Sequence, residues 1–236
     1  MKCAIVGGTG WQGAGIATRI VYAGHTAVIG SRDEKRSKAL AKGLPQKVKL
    51  PPEKFEGSLN EDAVRNADIV FVTVPMSAHE EILKLIAPLI DEQLVIDVTV
   101  PSDPEDQLKL IFPPEGSAIE QAQAILGEDA DVVAAFKTVS ATMLFNYGMT
   151  PNSDILICGD DLEAKHRTTL LIKEMGFTAY DIGTAEAGRI IESLNQTLIF
   201  LNYAYHLNQP GIKIVEMDRG MEILPDDSMF EYNYDK

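Results

Sequence analysis

Residues 2–13, KCAIVGGTGWQG, decide the fold class of this chain. The apolar run Lys2–Gly7 predicts a short buried strand, and Gly8, Gly10 and Gly13 follow it with the spacing G-x-G-x-x-G. A glycine turn between a strand and a helix lets backbone amides approach a pyrophosphate with no Cβ atom in the way. The positive end of the helix favours the same anionic group. The segment therefore predicts a dinucleotide-binding Rossmann fold.

Strand and helix patterns alternate along the remaining chain, which is typical of an α/β fold with a doubly wound parallel sheet. The predicted strands are Lys2–Gly7, Thr26–Gly30, Asp68–Val74, Leu94–Val98, Asp131–Phe136, Ile155–Cys158 and Thr178–Ile182. The predicted helices are Trp11–Ala23, Asp33–Lys42, Ala78–Ile86, Ser117–Leu126, Leu162–Met175 and Ala185–Tyr205. Proline-rich residues 101–116 predict a long loop. We expect a Rossmann domain over residues 1–148, a smaller C-terminal α/β domain over 149–213 and an acidic tail over 214–236.

The chain is acidic, with 35 acidic and 21 basic side chains in 236 residues and a formal charge of −14. Nucleic acids and anionic membrane surfaces both attract basic faces, so the composition argues against either as a partner. The sequence shows no charged leader, no apolar run long enough to span a membrane and no clustered metal ligands. Two cysteines are too few for a disulfide framework. We expect a cytoplasmic protein that binds a small molecule and no metal.

The end of the second predicted strand, Gly30-Ser31-Arg32, selects between NAD and NADP. NAD enzymes usually place a carboxylate here to bind the ribose 2′-hydroxyl. In this chain Ser31 can donate to a 2′-phosphate, and Arg32 can bind that phosphate or stack on the adenine. Arg36, one helical turn later, adds positive charge. The alternative is an ordinary solvated helix start, but the pattern favours NADP.

The stretches GGTGWQG, VIGSR, DIVFVTVP, CGDD and RIIESLN resemble those of the coenzyme F420-dependent NADP oxidoreductases. That family passes hydride between NADPH and the 8-hydroxy-5-deazaflavin F420. The resemblance implies NADP as cofactor, F420 as co-substrate, a C-terminal domain that helps to cover the deazaflavin, and a homo-oligomer. The side chain of Trp11, in the glycine turn, either covers the cofactor or packs against the sheet. The candidate cofactor-binding residues are Gly8, Thr9, Gly10, Trp11, Gln12, Gly13, Ser31, Arg32, Arg36, Thr73, Val74 and Pro75.

Two positions depart from the family pattern. Lys137-Thr138 stands where the family has His-Thr near the nicotinamide, and Met76 stands where an aromatic residue can follow the strand-end proline. A cation at Lys137 can stabilise negative charge on a ring that accepts hydride, which makes it the candidate catalytic residue. A solvated lysine at a strand end is the alternative. The departures leave open an NADPH-dependent reductase of a flavin, quinone or imine, and the acidic tail leaves open a non-enzymatic NADP(H) sensor.

Four further expectations concern helices. His79 is predicted to face solvent near a helix start, and Glu186 is predicted to pair with Arg189 at i, i+3. The pair Asp160 and Asp161 predicts a helix N-cap. The last predicted helix is apolar over much of its surface, so we expect it to be buried or to form a subunit interface.

Overall fold

The computed structural model describes residues 1–215, so residues 216–236 of the predicted acidic tail lie outside the described part of the chain. The strands are β1 Lys2–Val6, β2 Thr26–Ser31, β3 Phe55–Leu59, β4 Ile69–Val72, β5 Leu94–Asp97, β6 Val132–Ala134, β7 Ile155–Ile157 and β8 Ala179–Asp181. The α-helices are α1 Trp11–Tyr22, α2 Glu34–Val48, α3 Asn60–Arg65, α4 Met76–Ile86, α5 Ala118–Leu126, α6 Ala141–Phe145, α7 Leu162–Glu174 and α8 Gly188–Tyr205.

The first six strands form one parallel sheet in the order β3-β2-β1-β4-β5-β6. This arrangement confirms the predicted α/β class with a doubly wound parallel sheet. The chain leaves β1 for β2 on one side and returns to β4 on the other, so β1 and β4 flank the point where the winding direction reverses. Ligands of such sheets bind beyond the carboxyl ends of the strands at this point.

Two hydrophobic clusters cover the two faces of the sheet. Alternate residues of β1 separate between them: Cys3 and Ile5 join the cluster on the α1 side, and Ala4 and Val6 join the cluster on the α4 side. The strands are apolar at nearly every position because both faces are covered by helices. The sheet is therefore rigidly packed, and its carboxyl edge holds the residues that follow each strand.

Helix α2 and strand β3 depart from the sequence expectations. The prediction that α2 ends at Lys42 is wrong, because the helix continues to Val48 and buries Leu44 and Pro45. Packing of this apolar face outweighs the low helix propensity of one glycine, which is about 1 kcal/mol. Strand β3, with the sequence FEGSL, was not predicted. It forms the edge of the sheet, and only its first residue, Phe55, is buried.

The C-terminal part of the described chain contains a two-stranded parallel sheet, β7 with β8, and the helices α7 and α8. A single antiparallel bridge joins Ala134 of β6 to Cys158, just after β7. Both hydrophobic clusters include residues from before and after position 148. The domain boundary at that position stays a prediction.

The helix expectations have mixed outcomes. Glu186 pairs with Arg189 at 3.3 Å, as predicted. Asp161 caps α7 by accepting from the Ala164 amide at 2.6 Å, whereas Asp160 accepts from the Ala185 amide at 2.9 Å and is not part of that cap. The alternative that the last helix is buried is wrong, because only Gly188, Ile191 and Glu192 of α8 are buried. No helix within residues 1–215 has the length and apolar character needed to cross a bilayer.

Candidate functional site

The glycine turn between β1 and α1 has the geometry of a pyrophosphate cradle. A Cβ atom on Gly13 would lie 2.6 Å from Gly8 Cα, so the start of α1 packs directly against the turn. A Cβ atom on Gly10 would meet no protein atom within 4 Å, so the space in front of Gly10 is open. Gly10 precedes α1 without giving it a side-chain cap, and the first amides of a helix have no partner within it. These amides are available to an anionic group.

Two side chains from elsewhere fix this turn. Asn60, which is buried on α3, accepts a hydrogen bond from the Gly7 amide at 3.1 Å. The side-chain nitrogen Nε2 of Gln12 donates to the carbonyl oxygens of Phe136 and Val139, each at 3.2 Å. Sequence reasoning missed Asn60 because its helix was not predicted and it lies 53 residues from the turn. The predicted cofactor residue Gln12 thus also ties α1 to the segment after β6.

The residues after β2 leave two arginine side chains exposed and direct the nearby carboxylate toward the start of α2. The carboxylate of Asp33 accepts from the amides of Lys35 and Arg36 at the start of α2, so it is turned toward the helix end. Ser31 Oγ accepts from the Asp33 amide at 3.1 Å. The side chains of Arg32 and Arg36 are exposed and form no ion pair with any residue in the range 1–215. Two guanidinium groups are therefore free to meet an anionic ligand.

The side chain of Trp11 does not pack against the sheet. It is 80% exposed, and its ring meets the ring of Phe145 edge to face with centroids 5.9 Å apart. Both rings line a cavity of about 620 Å³ between α1 and α2, which also includes Thr9 and Gly10. This cavity is not lined by the residues that directly follow β4, β5 and β6, such as Thr73, Val98 and Lys137.

A second cavity, of about 250 Å³, lies beyond the carboxyl ends of β4 and β5 and beside the segment after β6. Thr73 fixes its floor because its hydroxyl donates to the Val6 carbonyl at 2.8 Å. The cavity brings together the predicted residues Gln12, Thr73, Val74, Pro75 and Lys137, with Asn195 from α8. It does not include Ser31, Arg32 or Arg36, which lie at the end of β2, on the other side of β1. An extended dinucleotide has to span these two places.

A third cavity, of about 370 Å³, adjoins the second and shares Gln12, Val139 and Asn195 with it. Its remaining lining residues come from the segment 138–141, the loop residue Gln107, α8 and the chain after α8. Asn195 of α8 lies where the two cavities meet.

Lys137 is not the solvated lysine of the alternative interpretation. Its side chain is completely buried, and its ammonium group donates to Asp97 Oδ1 at 2.9 Å and to the Thr99 carbonyl, and lies 3.1 Å from Glu192 Oε1. Burial alone would lower the pKa of Lys137, but the charges of Asp97 and Glu192 outweigh it and raise the pKa. Lys137 therefore carries a fixed positive charge at the wall of the second cavity.

The prediction that His79 faces solvent is wrong. Its side chain is fully buried, with Nε2 2.7 Å from Asp97 Oδ2 and Nδ1 2.9 Å from Gln121 Oε1. Burial would raise the pKa of Asp97, but the charges of Lys137 and His79 lower it to about 2. Asp97 is thus an ionised carboxylate held between two cations. Within residues 1–215 no group of three or more His, Cys, Asp or Glu side chains could hold a metal ion.

Comparison with known proteins places this geometry in a family. Residues 2–101 match the family model described as NADP oxidoreductase, coenzyme F420-dependent. The F420-dependent NADP reductase of Methanothermobacter thermautotrophicus is 37% identical over 223 residues, covering 92% of this chain and 96% of that protein. The chain belongs to the F420-dependent NADP reductase family. This confirms the resemblance drawn from the sequence motifs.

Other members of the family agree over most of their length. The F420-dependent NADP reductase of Methanocaldococcus jannaschii is 33% identical over 224 residues, covering 92% of this chain and all of that protein. A crystal structure of a candidate F420-dependent NADP reductase from Arthrobacter sp. FB24 superimposes with a TM-score of 0.78 at 25% identity. It covers 92% of this chain and 100% of that one, so the C-terminal part of this chain is also shared.

The first prediction tests the assignment of the 2′-phosphate site. Arg32→Ala is expected to weaken NADPH binding by about 1.5–3 kcal/mol, the contribution of hydrogen bonds to a charged group, and to leave NADH binding nearly unchanged. Isothermal calorimetry with both cofactors measures the difference. Arg65→Ala, at an exposed arginine after β3, is the control and should alter neither affinity. Equal losses for NADPH and NADH in Arg32→Ala would contradict a 2′-phosphate contact.

The second prediction uses two glycines of one turn. Gly10→Ala places a methyl group in open space, at a backbone conformation (φ −82°, ψ 172°) that any residue adopts. We expect an unchanged melting temperature and NADPH binding weakened by about tenfold or more, or about 1.4 kcal/mol. Gly13→Ala forces α1 away from the turn, so stability should also fall, by about 1–3 kcal/mol. Full NADPH affinity in Gly10→Ala would contradict the placement of the pyrophosphate.

Proposed function

We propose that this chain transfers hydride between NADP(H) and the deazaflavin F420. The observation that carries the proposal is the pair of adjoining cavities at the carboxyl edge of the sheet, of about 250 and 370 Å³, which share Gln12, Val139 and Asn195. One is lined by the residues that follow β4 and β5, and the other opens beneath α8. Two rings can therefore lie next to each other, one in each cavity.

The residues supply position and electrostatics for this reaction, because the two cofactors carry the hydride chemistry themselves. We assign the pyrophosphate to the turn Gly8–Gly13, the 2′-phosphate to Ser31, Arg32 and Arg36, and the nicotinamide to Thr73–Pro75. NADPH gives up a hydride and becomes NADP⁺, while F420 takes up that hydride and a proton from solvent. The buried ammonium group of Lys137 is balanced by Asp97 and Glu192, so its contribution is a local positive potential that favours a ring carrying negative charge.

Mixing the purified protein with NADPH and F420 tests the proposal. The visible absorption band of F420 should bleach as NADPH is consumed, with one F420 reduced for each NADPH oxidised. Consumption of NADPH with a free flavin, a quinone or a cyclic imine, and none with F420, would replace the proposed acceptor with that one. Saturable NADPH binding without turnover of any acceptor would indicate an NADP(H) sensor.

We also propose that the protein is a cytoplasmic homo-oligomer in which α8 lies at the interface. Large apolar side chains along α8 are exposed, among them Ile190 at 59%, Phe200 at 54% and Tyr203 at 61%. Several large exposed apolar side chains on one helix are typical of a surface that another chain covers. Sedimentation equilibrium of the full chain measures the oligomeric state, and a monomer at all concentrations would contradict this part of the proposal.

A further inference from the structure

Four ionisable side chains meet at the carboxyl edge of the sheet, and all four are completely buried. They come from four different elements: His79 from α4, Asp97 from the end of β5, Lys137 from the segment after β6 and Glu192 from α8. Asp97 binds His79 through one carboxylate oxygen and Lys137 through the other, and Lys137 reaches on to Glu192. We call these four residues the charge quartet.

The hydrogen-bond partners determine the protonation of the charge quartet. The three N–H groups of Lys137 are matched by three acceptors, and Glu192 also accepts from the Ala118 amide at 3.1 Å. Both ring nitrogens of His79 face acceptors, which are Asp97 Oδ2 and Gln121 Oε1. The oxygen of Gln121 faces the ring because its side-chain nitrogen, Nε2, donates to Glu115 Oε2. A histidine between two acceptors is doubly protonated. Two cations therefore face two carboxylates, and the net charge of the quartet is zero.

The charge quartet also fixes the position of α8. This helix of 18 residues buries only Gly188, Ile191 and Glu192 against the rest of the described chain, and all three lie in its first turns. Of these three residues, Glu192 has the polar side chain. It accepts a hydrogen bond from the first residue of α5 and forms an ion pair with Lys137. Asn195 follows one helical turn later and lines both cavities of the proposed site. The pose of Asn195 thus depends on Glu192.

We propose that His79 and Glu192 are positioning residues: the charge quartet, while its charges balance, holds α8 and Asn195 over the two cavities. This role rests on the proposed function, in which the hydride acceptor lies in the third cavity, beneath α8. An unbalanced quartet leaves a net charge in a place without water, which is costly unless the elements move apart. Movement of α8 changes the acceptor cavity and leaves the glycine turn, on α1, in place.

The balance depends on pH through His79. The groups that face its ring are Asp97 from β5, Gln121 from α5 with Glu115 behind it, and Lys137, with Glu192 from α8 beyond. Burial is the largest single influence and lowers the pKa of His79, but the charge of Asp97 and the hydrogen bonds to Asp97 and Gln121 together outweigh it and raise the pKa above the ordinary 6.5. The protonated ring therefore stabilises the folded state fully below about pH 6.5, and this contribution is lost as the pH rises through the raised pKa.

A double-mutant cycle on the full chain tests the proposal. At low pH His79→Gln leaves the charge quartet with a net charge of −1, Glu192→Gln leaves it at +1, and the double variant restores zero. At pH 6 each single variant should raise the KM for F420 by about tenfold, the effect of one unpaired charged group, with the dissociation constant of NADPH unchanged. The double variant should return to within about threefold of the wild type.

The pH profile gives a second readout that a purely steric role would not produce. Over a pH range that starts at 6 and extends past the raised pKa of His79, the KM of the wild type should rise, because the ring loses its proton. Glu192→Gln should show the opposite trend, because neutral His79 then leaves Lys137 and Asp97 balanced. His79→Gln should show no trend in this range.

Melting temperatures of the same four proteins provide the readout that does not need F420. The double variant should melt above both single variants at pH 6. If the wild type does not reduce F420, the proposed function fails while the melting temperatures still test the charge quartet. A double variant that melts no higher than the less stable single variant, or whose KM combines the two single effects, would overturn the proposal.

Discussion

Arg19→Met is expected to lower the free energy of unfolding by about 3–5 kcal/mol, the range for removing one partner of a buried charged network. Arg19 lies on α1 with 1% of its surface exposed, and its guanidinium group donates to four backbone carbonyls. These carbonyls belong to Met143, Leu144, Asn146 and Met175, at distances of 2.8–3.1 Å. Methionine fills a similar volume but leaves all four acceptors without a donor. Urea denaturation monitored by circular dichroism measures the loss.

Two comparison variants separate the cause from a general effect of mutating arginine. Arg19→Lys keeps the charge but lacks the planar fork, so it should lose most of the same stability. It should also lose part of the contact with the ring of Phe177, whose centroid lies 4.5 Å from the guanidinium carbon. Arg65→Met, at an exposed arginine, should change the stability by less than about 0.5 kcal/mol. A loss below about 1 kcal/mol in Arg19→Met would contradict the structural role of Arg19.

The glycine turn could be predicted from sequence because each of its requirements is local. Gly8, Gly10 and Gly13 lie within six residues; Gly8 and Gly13 each meet a steric condition set by nearby backbone, and Gly10 keeps the space in front of the turn open. The order of strand, turn and helix gave the fold class for the same reason. The prediction of NADP over NAD likewise depended on neighbouring residues, because Ser31 ends β2 and Arg32 directly follows it.

The environments of His79 and Lys137 could not be predicted in this way, because their partners are distant in sequence. Asp97 lies 18 residues from His79 and 40 from Lys137. One signal was present: Asp97 ends the apolar strand β5, and Lys137 follows the strand β6. Because β5 and β6 are parallel neighbours, their carboxyl ends meet, and opposite charges there predict an ion pair. Applying that rule requires the order of the strands.

Asn60 illustrates a further kind of failure. It supports the glycine turn from α3, a helix of six residues that follows the edge strand β3. The sequence FEGSL of β3 contains a glutamate and a glycine, both of which are uncommon in strands. Neither element has enough apolar periodicity to be recognised alone. Their formation depends on pairing with β2 and packing beneath it, which are tertiary effects.

Lys137→Met is expected to have the second large effect, on both stability and turnover. Methionine keeps the length of the side chain, but it leaves Asp97 and Glu192 buried without the cation between them. Loss of one partner from a buried ion pair costs about 3–5 kcal/mol. Turnover at saturating NADPH and F420 should fall roughly tenfold or more, because a fixed charge beside the reacting rings is lost. NADPH affinity should change little, since Arg32 and the glycine turn are untouched.

The effect of Lys137→Met on stability should depend on pH in a defined direction. Asp97, with its pKa lowered to about 2, stabilises the folded state above its ordinary value of 3.8 and loses that contribution as the pH falls toward 2. Lys137 supplies the larger of the two charge interactions that lower this pKa. The difference in unfolding free energy between wild type and Lys137→Met should therefore be greatest near neutral pH and shrink below pH 4.

Lys165→Met is the matched control for Lys137→Met, because Lys165 is another mostly buried lysine in an ion pair. Its ammonium group lies 2.9 Å from Asp181, between α7 and β8, and lines neither cavity of the proposed site. Asp181 is partly exposed, so the loss of stability should be smaller, and turnover should be unchanged. Wild-type turnover in Lys137→Met would remove Lys137 from the reaction while leaving its structural role intact. Only Lys137 adjoins the site, so equal losses of turnover in both variants would show that reduced stability, and not a missing charge at the site, lowers turnover in Lys137→Met.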